Sequence, residues 1–426
     1  MDATGGILRE AGTQTMNAMK ARLGLMMFLQ FFIWGAWYVT LGTWLSKSVH
    51  LSDQQIGWTY GTTAIGAIVS PFFVGLIADR AFAAQRLLGV LHALGAALLL
   101  FASTQSAFVP LYVAVQLYAL CYMPTLALTA SLAMRQITDT KKEFGLIRVF
   151  GTIGWIVAGL AIGSLGVEAT ATPMHLAAAA SVVMALYCFT LPDTPPLARG
   201  TQLSWRHVIP VESVRLLQRR SMAVFALASL LICIPLQFYY AFTNLFLNEI
   251  GVQNAAGKMT GGQMSEVLCM LLIPWFFRRL GVKWMLAVGM LAWVVRYAAF
   301  AHGNADALVW MLWLGIVLHG ICFDFFFVVG QIYIDRESPP TLRAATQGLI
   351  TFLTYGVGMF IGAWLSGRVV EAYTLAGANG AVAHDWRSIW LFAGICAAVV
   401  LAFFVLVFSD HDPAADSGVA KAPQSH

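Results

Sequence analysis

Four ionisable side chains, Arg148, Glu266, Arg296 and Asp324, fall inside stretches that are otherwise apolar. Asp324 is the most isolated of them: the run Ala307 to Ile334 is long enough to cross a bilayer and carries no other formally charged residue. An acid at the centre of a membrane helix costs roughly 2.5–3.5 kcal/mol on insertion scales, and groups kept there face cavities through which ions, protons or solutes move. The chemistry on offer is therefore proton exchange at a carboxyl, beside cations that can orient or neutralise it. Two cations and two anions can also balance one another within a bundle.

Spacing adds neutral partners. Arg148, Thr152 and Trp155 share one helical face, at offsets of four and seven, and present a cation, a hydroxyl and an aromatic wall. Gln263 and Glu266, three apart, project together, and Gln237, Tyr240 and Asn244 form a polar stripe at offsets of three and seven. Such groups can hydrogen-bond a polar, uncharged solute. Simpler readings stay open: Arg148 as a helix-end anchor, Arg296 as an ion-pair partner or outer-interface anchor, and Gln237 and Asn244 as helix-to-helix ties. His92, His175 and His319 read as packing or interface residues, and Trp34, Trp37 and Trp44 as packing and interface belt.

The elements that must position these residues follow from composition. The chain has 426 residues, 59% hydrophobic and 11% charged, with a mean hydropathy of +0.75; a soluble domain carries about 25% charged residues. This is an all-α integral membrane protein, because the apolar stretches are continuous where a membrane barrel would alternate. Twelve candidate spans run at about 20–46, 55–78, 86–105, 107–134, 146–166, 173–191, 221–248, 260–278, 283–302, 306–334, 344–370 and 386–408. The first is too long for a signal-peptide core and reads as a retained helix.

With the N-terminus inside, nineteen Lys and Arg residues fall on the cytoplasmic side and only Lys47, Lys258, Arg368 and Arg387 on the other. That bias places both termini in the cytoplasm, so the net charge of +5 reflects topology rather than a nucleic-acid partner. The six cysteines lie in apolar runs without metal or redox spacing. No cofactor or metal is expected, and no Ser/His/Asp constellation or His-rich spacing points to an enzyme.

The longest polar segment, Pro192 to Arg220, opens Pro-Asp-Thr-Pro-Pro, contains five arginines, and divides the spans six and six. This arrangement resembles the major facilitator superfamily fold: twelve transmembrane helices in two six-helix halves, 20–191 and 221–408, around the linker 192–220, with cytoplasmic tails 1–19 and 409–426. The tail from Asp410 reads as disordered. Gly75-Leu76-Ile77-Ala78-Asp79-Arg80, followed by Gln85-Arg86, is similar to that superfamily's loop signature, and Arg278-Arg279-Leu280-Gly281-Val282-Lys283 stands at the equivalent place in the second half.

More specific stretches span nearly the whole chain. Leu29-Gln30-Phe31-Phe32-Ile33-Trp34-Gly35-Ala36-Trp37 with Thr40-Leu41-Gly42, Tyr122-Met123-Pro124-Thr125-Leu126, Ile147 to Trp155, and Cys322-Phe323-Asp324-Phe325-Phe326 resemble the bacterial nucleoside:proton symporters. The resemblance implies proton-coupled nucleoside uptake by alternating access across a bacterial inner membrane, by a multi-pass protein functional as a monomer in the bilayer. It implies substrate contacts at Arg148, Thr152, Trp155, Gln237, Gln263, Glu266 and Phe323, with Asp324 and Glu266 as proton carriers. Two departures bear on base preference: Trp155 replaces a smaller aromatic, and Tyr240 an asparagine whose amide Asn244, one turn on, could supply. A sugar or other polar solute on the same fold is the alternative.

Overall fold

The computed structural model describes residues 3–73, 82–196, 211–376 and 382–410. The Gly75 to Arg80 signature and two of the linker's five arginines, Arg199 and Arg206, lie outside them. In chain order the helices are α1 (Ala3–Trp37), α2 (Leu41–Lys47), α3 (Asp53–Phe73), α4 (Ala84–Ser103), α5 (Phe108–Arg135), α6 (Thr140–Leu165), α7 (Thr172–Cys188), the short α8 (Val211–Arg215), α9 (Arg220–Glu249), α10 (Ala255–His302), α11 (Val309–Glu337) and α12 (Arg343–Ala372). A two-stranded antiparallel hairpin, β1 (Thr374–Ala376) and β2 (Val382–His384), leads into α13 (Trp386–Val407).

Among the described residues nine helices are long and apolar enough to cross a membrane, and the apolar α3 and α7 lie beside them. The first expected span is broken by a turn at residues 38–40 into α1 and α2. α10, 48 residues long, is interrupted at Gly281, where φ is 67° and ψ −179°. Only glycine adopts that backbone at low cost, so the Arg-Arg-Leu-Gly-Val-Lys stretch turns the chain between the two expected spans. Replacing Gly281 by alanine should lower thermal stability by about 1 kcal/mol, as a melting curve would show, since its built Cβ meets no atom and only backbone strain is added.

Helix starts follow local chemistry. Ser52 and Gln55 form a reciprocal capping box before α3, with Ser52 N donating to Gln55 Oε1 at 3.1 Å and Gln55 N to Ser52 Oγ at 3.3 Å. Asp385 caps α13, accepting from Ser388 N at 3.2 Å, and Asn254 caps α10, accepting from Gly257 N at 3.1 Å.

Within the first half α1 packs on α6, α4 on α7 and α3 on α5; within the second α10 packs on α13 and α9 on α12. Glycines set the closest crossings. A Cβ on Gly154 would run into the Phe28 carbonyl, and one on Gly35 would meet the Trp155 backbone at 3.1 Å, so α1 and α6 pack backbone to backbone. Large apolar side chains such as Leu146, Leu271 and Leu406 are 69%, 74% and 83% exposed, a distribution that suits lipid contact.

The two halves meet through α3 with α12, α6 with α10, and α2 with α9. The polar ties between them lie at the end away from the chain termini. Thr43 Oγ1 donates to Asn244 Oδ1 at 2.6 Å; Glu168, in the α6–α7 loop, accepts from Asn244 Nδ2 at 2.8 Å, Asn248 Nδ2 at 2.7 Å and Ala256 N at 2.9 Å.

Candidate functional site

α6 begins at Thr140, so Arg148 lies two turns inside its helix rather than at a helix end. Its guanidinium sits 4.1 Å from the centroid of Phe31 on α1, a cation–π contact that holds the charge toward the seam. From there it interacts electrostatically with Glu266 on α10, with Tyr355 on α12 and with Tyr122 on α5. Glu266 also faces Tyr240 and Tyr355. The two charges thus address each other from opposite halves, and the helix-end reading of Arg148 gives way to a central one.

Next to them, Trp155, Tyr240 and Gln263 line one cavity with Val39, Gly159, Tyr239, Ala256, Met259 and Thr260. Gly159 permits this approach: its Cβ would meet Thr260 Cγ2 at 2.5 Å. Trp34 packs edge-on against Trp155 with centroids 5.6 Å apart, and against Tyr38 at 5.7 Å and Tyr122 at 5.9 Å. Trp37 and Trp44 are buried. All three thus serve as packing residues, the first half of what the sequence suggested for them.

Gln237 is buried on α9; its Nε2 has no hydrogen-bond partner among the described residues, while its side chain reaches the Tyr38 hydroxyl of the other half. Asn244, two turns on, is different. Both ends of its amide are engaged, by Thr43 and by Glu168, so in this conformation it ties the halves and has no free group for a solute. Thr152 is half-buried on the Arg148 face.

Asp324 is fully buried, and among the described residues neither carboxylate oxygen has a hydrogen-bond partner. It opens a π-helical turn, Asp324–Val328, inside α11. Such turns widen a helix by one residue and recur at functional sites. Phe323, beside it, belongs to an aromatic row: His319 at 6.0 Å, then Phe327 at 5.2 Å, and from Phe327 to Tyr355 at 5.6 Å. His319 in turn stacks on Tyr239 at 5.3 Å.

Arg296 is neither an ion-pair partner nor an interface anchor. It is fully buried, donates from Nε to the Gly315 carbonyl at 2.8 Å, and lies 4.0 Å from the Tyr239 ring centroid, with Nη1 and Nη2 unpartnered among the described residues. The expected mutual neutralisation of four charges is thus reduced to one facing pair, Arg148 and Glu266. His92 is a packing residue, its Nε2 2.9 Å from Gln30 Oε1, while Gln30 Nε2 donates to Thr125 Oγ1 at 2.7 Å. The six cysteines are free.

Sequence reading missed Tyr38, Tyr239 and Tyr355. Each is a polar-tipped aromatic within an apolar run, unmarked in sequence; only the assembled helices set Tyr38 against Gln237, Tyr355 against Glu266 and Tyr239 in the cavity wall.

A family model described as "Nucleoside H+ symporter" matches residues 16–413. The chain is 41% identical to the putative nucleoside transporter YegT of Escherichia coli (strain K12), over 92% of this chain and 94% of that one. It is 31% identical to the nucleoside permease NupG of the same organism, over 92% and 97% respectively. The crystal structure of nucleoside transporter NupG superposes with a TM-score of 0.83 at 30% identity, covering 91% of this chain and 98% of that one.

Proposed function

The chain belongs to the nucleoside H+ symporter family, and from that premise we propose how its halves carry nucleoside and proton together across the bacterial inner membrane. It is a transporter rather than an enzyme, and its substrates are nucleosides and protons. Twelve spans result if α1 and α2 make one, Gly281 divides α10 into two, and α3 and α7 complete the set. The nineteen-to-four bias of Lys and Arg supports cytoplasmic termini. Residues 20–191 and 221–408 are then the two moving bodies, and a single chain in the bilayer suffices for transport.

The observation that carries this reading is the cavity walled by Trp155 of the first half and by Tyr240 and Gln263 of the second, with Arg148 and Glu266 attracting each other across the same seam. A nucleoside is neutral, with hydroxyls and base edges that seek hydrogen bonds and a flat base that seeks an aromatic wall. Gln237, Gln263 and Glu266 supply the hydrogen-bonding groups, Trp155 and Phe323 the walls, and Arg148 with Thr152 the orienting side. Tyr239 and Tyr240 close the cavity from α9. Asp324 and Glu266 exchange the proton. Asn244 works at the closed end of the seam, where its amide is spent on Thr43 and Glu168.

The test is uptake of labelled uridine and adenosine by bacteria lacking their own nucleoside permeases, with and without a protonophore. Uptake that collapses with the protonophore is the expected result; uptake of neither nucleoside by protein present in the membrane would overturn the reading. The sugar alternative gains no support from the family match; free ribose or a disaccharide should not compete. Glu266→Gln should weaken nucleoside binding by about tenfold or more, the cost of about 1.5–3 kcal/mol for a hydrogen bond to a charged group. Unaltered binding measured by calorimetry across pH would remove Glu266 from the site.

A further inference from the structure

At the end of the seam away from the termini, three charged residues from three elements converge. His384 ends β2, which pairs Thr374 with His384 across the hairpin. Its imidazole is 1% exposed. Nδ1 lies 2.7 Å from Glu249 Oε2 at the end of α9, and Nε2 lies 3.1 Å from Asp53 Oδ2 at the start of α3. The His384 backbone N donates to Glu249 Oε1 at 2.8 Å, and Thr374 Oγ1 to Asp53 Oδ2 at 3.2 Å. The Trp386 ring packs against the imidazole, tilted by 48° with centroids 4.9 Å apart. Of the other charged groups nearby, Asp385 is turned to Ser388 and interacts with Arg387.

Each ring nitrogen therefore faces a carboxylate, and ionised carboxylates only accept. A neutral imidazole has one N–H and could satisfy one of them; only the doubly protonated ring satisfies both. Glu249 and His384 belong to the second half and Asp53 to the first, so this proton bridges the halves.

We propose that Asp53, Glu249 and His384 form a proton-holding latch that keeps the two halves together at this face and lets go when His384 loses its proton to the solution outside. The proposal rests on the alternating-access reading above, with this face outermost. Burial opposes the charge on His384, but hydrogen bonds and attraction from Asp53 and Glu249 outweigh it and push its pKa from 6.5 up to about 9. A raised pKa means that the latch contributes fully below about 6.5 and weakens as pH rises through about 9. Acid outside thus favours the state closed at this face. Opening exposes His384 to the same compartment from which it took its proton, so the latch shifts the balance of states without adding a proton to the transport stoichiometry. The Glu168 tie to Asn244, Asn248 and Ala256 has no histidine partner and holds the seam independently.

The experiment uses the full-length protein in liposomes, with its six cysteines replaced and spin labels at Lys47 and Leu375, both exposed and one on each half. No nucleoside is added. The open-to-closed ratio should rise with pH between about 6.5 and 9, by at most about tenfold per pH unit, the limit for one proton. His384→Gln should abolish that dependence and Asp324→Asn should preserve it. If His384→Gln fails to fold, Asp53→Asn, which removes only the cross-half partner, serves the same purpose. A ratio flat across the window, or one that still titrates in both latch variants, overturns the latch. So does a lower proton-to-nucleoside ratio in His384→Gln, which would make His384 a carrier. Failed nucleoside uptake beside a titrating ratio would sink the transport reading and leave the latch standing.

Discussion

Asp324→Asn is expected to reach the membrane in normal amounts and to equilibrate nucleoside without accumulating it. The substitution keeps the shape of the side chain in a fully buried position and breaks no hydrogen bond to the described residues, since neither oxygen of Asp324 makes one with them. What it removes is the exchangeable proton. Moving one charge through about 100 mV supplies about 2.3 kcal/mol, enough for a concentration ratio of about 50. In proteoliposomes with an imposed gradient the ratio should therefore fall from that order to about one, while nucleoside exchange between the two sides continues. Undiminished accumulation would take Asp324 out of the coupling and leave Glu266 as the proton carrier. Loss of exchange as well would mean that the π-helical turn needs the acid for its structure.

Much of this was readable from sequence because a membrane imposes few solutions. Continuous apolar runs force helices, and an intramembrane acid or arginine must be explained. The face carrying Arg148, Thr152 and Trp155 was legible because helical offsets of four and seven hold inside a single element. Relations between elements were not. Asn244 carries the same polar pattern whether it meets a solute or a carboxylate, and its partner Glu168 is 76 residues away. Arg296 reads as half of an ion pair until the fold lays it on the Tyr239 ring. Tyr38, Tyr239 and Tyr355 look like packing because an aromatic side chain is apolar along most of its surface and polar only at its tip.

The histidine latch shows the same limit from another side. His384 and Asp53 are 331 residues apart, and neither lies in an apolar run where an isolated charge would draw notice. Only the crossing of α3 with the hairpin and α9 brings them together. Function in such a carrier is divided between groups that touch the solute at the centre of the seam and groups that decide which end is open. The first kind leaves marks within a helix; the second is written in pairs of residues that sequence alone keeps apart.

Gly57→Leu should trap the carrier open at the end away from its termini. Gly57 on α3 faces α12 directly: a Cβ there would run into the Ala363 carbonyl and lie 2.9 Å from the Gly367 Cα, while a Cβ on Gly367 would meet the Asp53 carbonyl at 2.7 Å. Here the two halves touch backbone to backbone, and no flexible side chain can yield. Overpacking a tight contact costs about 1–3 kcal/mol, and 2.7 kcal/mol shifts a two-state balance by about a hundredfold. Because the clash lies between the halves and not inside one, the chain relieves it by separating them rather than by unfolding. Uptake should drop to a few per cent of the original at most, while nucleoside still binds to protein solubilised from the membrane. Gly61→Ala, one turn along the same helix, is the control, since its Cβ would sit 3.6 Å from Ala363 Cβ in ordinary contact. Normal uptake by Gly57→Leu would show that the closed seam can slide past a bulky side chain, and that the α3–α12 contact does not limit the transport cycle.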